Sequence, residues 1–313
     1  MRWFTSCAVV LCVCAAVWAD PPYYQDEMIA VHAKNTGPTF RISRFGDSIT
    51  VSKAYFQPLQ WGNNGTTAGS TERAAVTWIQ AEMDDVCWSW QDSYQQHGAE
   101  GSTTSAWPLT AVTTSWPGYV AGERKIDYWL RVDKPDFAVI MFGSNDANGS
   151  LNVTTYKNNM RTIAQACMAA GTIPILTTPP PKHNRYSETL AEAQAIRELG
   201  TELQVPVSDY SADILVRNPD PLWDGAGTYW TLQGYSGYEV PTSISGDGVH
   251  PSNWTPGKSN FTADGLRTNG FNDYGYMTLM TSYNVYQAVI VPEPISLSAL
   301  ALGGLLVLRR RRR

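Results

Sequence analysis

The run Asp136-Phe-Ala-Val-Ile-Met-Phe142 constrains the fold of this chain more than any other stretch. It is almost continuously apolar. A strand of that kind is buried on both faces, as in parallel sheets covered by helices. Other segments repeat the pattern. Phe40, Ile42 and Phe45 mark a short strand, Val86 to Trp90 a second, Thr172 to Thr178 a further one, and Val205 to Asp209 a last short one. Between them lie stretches of helical period. Ser70 or Thr71 opens a helix to Met83 with Ala75, Trp78 and Ile79 on one face, and Glu123 to Val132 spaces Ile126, Trp129 and Leu130 for burial. Tyr156 to Ala170 ends at Gly171, a usual residue after a helix, and Ser187 to Leu203 is rich in Ala, Glu and Leu. Asp273 to Val289 resumes an apolar pattern and reads as a closing helix. Strands alternating with helices imply right-handed crossovers. The expected fold class is therefore α/β, a three-layer α/β/α arrangement around a mainly parallel central sheet. Tyr23 to Thr39 reads as a lead-in, and Lys182 to Arg185 and Asn218 to Ser245 read as surface loops.

The first apolar strand runs into Gly46-Asp-Ser-Ile-Thr50. Gly46 permits a sharp turn, and Asp47 and Ser48 are both types that favour helix N-termini. A strand turning directly into a helix holds a serine hydroxyl at the carboxyl edge of a sheet, where α/β enzymes place their sites. The same residues also serve as plain helix caps, so the chemistry depends on what else reaches them. Acyl transfer by serine needs a base, a partner that orients the base, and donors for the developing oxyanion. The chain has four histidines. His250 follows Asp247 by three residues in a loop punctuated by Gly246, Gly248 and Pro251, and that spacing lets the carboxylate share a side with the ring.

Four blocks, Gly46-Asp-Ser-Ile-Thr50, Gly101-Ser-Thr103, Gly143-Ser-Asn-Asp146 and Asp247-Gly-Val-His-Pro251, together resemble the ordered motifs of the SGNH hydrolases, the GDSL-type esterases and lipases. The resemblance spans about Arg41 to Val289 and implies an SGNH, flavodoxin-like fold. It implies that Ser48 is the nucleophile, His250 its base and Asp247 the orienting acid. It further implies an oxyanion hole from the Ser48 backbone N–H, the Gly101 backbone N–H and the Asn145 side-chain amide, with Gly98 competing with Gly101 for that place. Two departures flank the triad. A polar stretch with Trp254 and Phe261 separates His250 from Gly275-Tyr276, and a long loop with Trp223, Tyr229, Trp230, Tyr235 and Tyr238 precedes Asp247. Flat aromatic faces suit sugar rings, so Trp223 and Trp230 are the candidate substrate-binding residues, with core or loop anchoring as the alternative role.

Both ends read as targeting signals. Arg2 precedes an apolar run from Trp3 to Val17, and Val17-Trp-Ala19 presents small residues where a signal peptidase reads. Val291-Pro-Glu-Pro294, the apolar Ile295 to Leu308 and Arg309 to Arg313 resemble the PEP-CTERM sorting signal, which implies an exosortase-type processing enzyme. The apolar part is short for a bilayer span, and its arginines would stay cytoplasmic. A permanent tail anchor gives the same topology. The expected organisation is a signal peptide over 1–19, a lead-in over 20–39, a hydrolase domain over 40–289 and a sorting or anchor segment over 290–313. The protein is expected to be exported to the cell envelope or beyond, with membrane attachment through the C-terminal segment before processing.

Composition narrows the function. From Asp20 to Val291 there are 17 basic against 27 acidic residues, and this acidic balance argues against nucleic-acid binding, which needs basic surface. The four histidines show no metal-ligand spacing, so a metal-dependent phosphoesterase is disfavoured and neither metal nor cofactor is expected. Outside the leader only Cys87 and Cys167 remain, either a disulfide or two separate buried thiols. The expected function is an exported serine esterase, with an O-acetyl group on a polysaccharide as the expected ester. The rival is a catalytically silent glycan-binding or matrix protein on the same fold.

Overall fold

The computed structural model describes residues 21–37, 41–52, 54, 56, 58–59, 70–82, 98–149, 152–217, 243–253 and 258–291. The expected strand Val86 to Trp90, Cys87, Trp223, Trp230, the N-terminal targeting segment and residues 292–313 lie outside these residues.

Among the described residues four parallel strands form the sheet in the order β1-β2-β3-β4: β1 (Ile42–Gly46), β2 (Phe137–Met141), β3 (Ile173–Thr177) and β4 (Val207–Ser208). Every residue of β1, β2 and β3 is buried, as the apolar runs predict for a sheet covered on both faces. Pro174 sits in β3 without cost to the ladder. The Ile173 N–H faces β2 and the Leu176 N–H faces the β4 side, so the Pro174 nitrogen faces the β4 side below the point where β4 begins. On the outer edge of β1, Ala99 bridges Gly46 in parallel and the Glu100 N–H donates to the Gly46 carbonyl. The segment at Ala99 comes between β1 and β2 in the chain yet lies on the far side of β1. Spatial order therefore reverses at β1, which is the flavodoxin-like arrangement, and a crevice opens beyond the carboxyl ends of β1 and β2.

The helices are α1 (Gln25–His32), α2 (Ser48–Val51), α3 (Ser70–Glu82), α4 (Lys125–Asp133), α5 (Val153–Ala169), α6 (Tyr186–Leu203), α7 (Tyr210–Arg217), α8 (Ala263–Thr268) and α9 (Gly270–Val285). They make the outer layers of a three-layer α/β/α fold: α4, α5 and α6 pack in succession, and α9 packs with α3 and α7. Trp78 of α3 lies against Tyr283 and Tyr286 at the end of α9, with ring centroids 5.5 and 5.0 Å apart. Cys167 is a free thiol buried in the core.

Three elements depart from expectation. The lead-in contains α1, which buries only Met28 and Val31 and is tied down by Gln25 donating to the Ala288 carbonyl (2.7 Å) and His32 paired with Asp136 (2.8 Å). α7 follows β4 directly, with the Asp209 carboxylate accepting the Ala212 N–H. The polar stretch after His250 contains α8, capped by Thr262. Among the described residues no helix is long and apolar enough to cross a membrane.

Gly46, at the end of β1, has no room for a side chain, since a Cβ would press into the Met141 carbonyl and the Thr50 side chain. Gly46→Ala should therefore lower stability by about 1–3 kcal/mol, the usual cost of overpacking, read from the urea midpoint of unfolding. An unchanged midpoint would mean that β1 and β2 do not approach so closely.

Candidate active site

β1 runs into α2 with a single intervening residue. Asp47 is extended and caps α2, its carboxylate accepting the Ile49 N–H at 3.0 Å. Ser48 is the first helical residue and partly exposed, while Asp47 and Ile49 on either side are buried. Arg44 braces this turn from beneath. It is fully buried in β1, and its guanidinium donates to the carbonyls of Thr50 (2.9 Å) and Val51 (3.3 Å) at the far end of α2. The strand pattern registers Arg44 only as an interruption between Ile42 and Phe45, because the carbonyls it serves belong to the next element.

Ser48 Oγ lies 2.7 Å from His250 Nε2. His250 Nδ1 lies 2.6 Å from Asp247 Oδ2. Since the carboxylate accepts, Nδ1 carries the proton and Nε2 is free to accept from the serine hydroxyl. The other carboxylate oxygen of Asp247 accepts from the backbone N–H groups of Val249 (2.9 Å) and His250 (3.0 Å) and from Ser245 Oγ (2.6 Å). The loop thus closes on its own aspartate. It is seated in turn on α9, where the Gly270 N–H donates to Ser252 Oγ and the Phe271 N–H to the Ser252 carbonyl. Ser245 has a local signal, its place two residues before the acid, that sequence reading passed over.

Electrostatics follow from these contacts. Burial works against ionisation of Asp247, but the hydrogen bonds from His250, Ser245 and the loop N–H groups outweigh it and hold the carboxyl well below the usual carboxylate range. The bond to Asp247 raises the His250 pKa, against the opposing effect of burial. Burial pushes Asp47 up to about 7, with the Ile49 N–H, His250 and Lys182 opposing and Asp146 adding to the rise.

Asn145 follows β2. Its amide donates to the Thr103 carbonyl at 2.9 Å, which identifies the nitrogen, since a carbonyl cannot donate; the same nitrogen is 3.5 Å from Asp47. Asp146 is fully buried and accepts the Ser105 N–H and hydroxyl, so the Gly101 and Asn145 loops are locked together. The two candidate glycines have different surroundings. Gly98 has φ +102° and lies flush against Phe45 and the Arg44 carbonyl, so its identity follows from backbone and packing. Gly101 lies beside Ser48, where a Cβ would stand 3.9 Å from the Ser48 Cβ. Among the described residues, neither the Ser48 nor the Gly101 backbone N–H has a hydrogen-bond partner. Ser48, His250, Asp247, Gly101 and Asn145 therefore meet at the crevice, while Trp223 and Trp230 lie outside the described residues. The arrangement can deprotonate a hydroxyl and offer hydrogen-bond donors beside it. Among the described residues no three His, Cys, Asp or Glu side chains are grouped to hold a metal ion.

Lys182 corrects one expectation. The stretch Lys182 to Arg185 reads as a surface loop, and Asn184 and Arg185 are indeed exposed, but Lys182 is buried. Its partners come from residues far away in the chain, which a polar local composition does not reveal.

A model of the GDSL-like lipase/acylhydrolase family matches residues 45–253. No curated protein sequence matches the chain. Several solved structures are remotely similar to it. One is the lipase/acylhydrolase from Enterococcus faecalis, 17% identical over 78% of this chain and 97% of that one, with a TM-score of 0.45. Another is a carbohydrate esterase family 3 protein from Talaromyces cellulolyticus, 17% identical over 80% and 98%, with a TM-score of 0.46.

The His250 ring should titrate above the ordinary histidine value of about 6.5, because Asp247 favours the imidazolium. Nitrogen-detected NMR of the ring should find this, and Asp247→Asn should move the midpoint down. A midpoint at or below the ordinary value in the unsubstituted protein would mean that the Asp247 bond is not formed.

Proposed function

The chain belongs to the GDSL-like lipase/acylhydrolase family and is a carboxylic ester hydrolase, and we propose that Ser48, His250 and Asp247 perform the hydrolysis through an acyl-enzyme. The observation that carries this reading is the continuous relay from Ser48 Oγ to His250 (2.7 Å) to Asp247 (2.6 Å). His250 Nε2 takes the serine proton as Oγ attacks the ester carbonyl. Asp247 holds the ring in the required tautomer and stabilises the imidazolium that forms. The Ser48 and Gly101 N–H groups, with the Asn145 amide, receive the negative charge on the carbonyl oxygen. His250 then returns its proton to the leaving alcohol. In the second half a water is deprotonated by His250, attacks the acyl carbon and releases the acid, restoring Ser48. An intact relay favours an enzyme over a silent binding module, which has no chemical need for it.

The ester we propose is an O-acetyl group on a polysaccharide. Support comes from the terminal segments, which point to the envelope where glycans are met, and from the aromatic loop with Trp223 and Trp230 ahead of Asp247. Export by the N-terminal segment and sorting by residues 292–313 belong to the same proposal, and removal of 292–313 should free the protein from membranes with catalysis intact.

Ser48→Ala should cut kcat for a short aryl acetate by roughly 10⁴-fold or more while the protein stays folded, and His250→Ala should be comparably damaging because the members act as a unit. Near-normal turnover in either folded variant contradicts the assignment. For the substrate, kcat/KM on acetylated oligosaccharides should exceed that on aryl acetates, and Trp223→Ala and Trp230→Ala should narrow the gap. Equal values, or a ratio untouched by both variants, leave a general short-chain esterase.

A further inference from the structure

Lys182 has no part in the relay, yet it is only 5% exposed and its ammonium donates to the Ser144 carbonyl at 2.7 Å. A buried lysine is costly unless its charge is met. The groups facing it are Asp47 from the turn before α2, Glu192 from α6, Asp247 from the histidine loop and Arg185 from its own segment. Burial lowers the lysine pKa and Arg185 adds to the fall, while the three acidic groups oppose it.

Two geometric facts give this cation a role. The Ser144 carbonyl belongs to the peptide plane whose nitrogen is that of Asn145. Because that unit is planar, gripping the oxygen sets the orientation of the Asn145 backbone. The next residue, His183, donates its backbone N–H to the Gly248 carbonyl at 2.8 Å, inside the loop between Asp247 and His250. Consecutive residues of one segment therefore grip the two loops that approach Ser48 from different sides.

We propose that Lys182 is a positioning residue that holds the Asn145 amide where the oxyanion develops and keeps the Asn145 loop in register with the Asp247–His250 loop. This rests on the reading of Asn145 as an oxyanion donor. Donors aimed in advance stabilise the transition state without reorganising during reaction, so losing their alignment lowers kcat and leaves KM nearly unchanged. A lysine serving stability alone would lower the melting temperature and leave kcat of the folded fraction as it was.

The test is a double-mutant cycle on the full enzyme with an aryl acetate. Lys182→Met should lower kcat about 10–100-fold with KM within about twofold, in line with the cost of misplacing a catalytic group by about an ångström. In an Asn145→Ala background the same substitution should cost little more, because its route of action is already gone. If Lys182→Met does not fold, Lys182→Gln keeps a polar but shorter group, and the same coupling is expected. Near-normal kcat in a folded variant, or equal losses in both backgrounds, overturns the proposal. If Asn145→Ala alone leaves kcat unchanged, it is the underlying oxyanion reading that fails.

Discussion

Parallel pairing of β1 with β2, in the register that sets Gly46 against Met141, is the constraint on which the site depends. Both strands end at the same level, so the chain leaving β1 delivers Ser48 beside the chain leaving β2, which delivers Asn145. The approach is close enough that residue 46 cannot carry a side chain. A slip of one residue would exchange the two covered faces of β1 and shift the Ser48 turn out of level with the Asn145 loop. Reversal of strand order at β1 leaves open the crevice into which the histidine loop descends from the N-terminal end of α9.

Beneath that crevice the protein keeps an unusual concentration of buried charge. Asp47, Asp146, Glu192 and Lys182 are all shielded from solvent. Burial raises the pKa of each of the three acids, to about 7 for Asp47 and about 9 for Glu192. The raised pKa of Glu192 favours its neutral form, which limits the negative charge beneath Ser48. The hydrogen bonds of this layer run to the loops above it, from Lys182 to Ser144 and from Ser105 to Asp146. The layer therefore bears on loop position as well as on field.

Much of this was legible in the sequence where the signal is local. The apolar runs at β2 and β3 need no partner to be recognised, because burial on both faces leaves few polar residues in the run itself. Asp247 and His250 are three residues apart and bond each other, so their relation could be read directly. What escaped depends on distant contacts. α1 buries two residues and draws its hold from Asp136 and Ala288, remote in sequence. Lys182 follows three prolines in a polar stretch, and its burial comes from a carbonyl and carboxylates on other elements. Arg44 serves carbonyls of the following helix, which an alternation pattern cannot show. The Ser102 backbone is left-handed, with φ 63°, just after the glycine beside Ser48, and nothing in its residue type announces that.

The central claim is that Ser48 is an activated nucleophile, its hydroxyl made reactive by His250. Labelling the folded protein with a fluorophosphonate, followed by peptide mass spectrometry, tests this most directly, because the reagent bonds only to a serine that can be deprotonated in place. The account predicts a single stoichiometric adduct on the peptide containing Ser48, formed more slowly as pH falls and His250 gains a proton. An adduct on another residue, or none in folded protein, would contradict it.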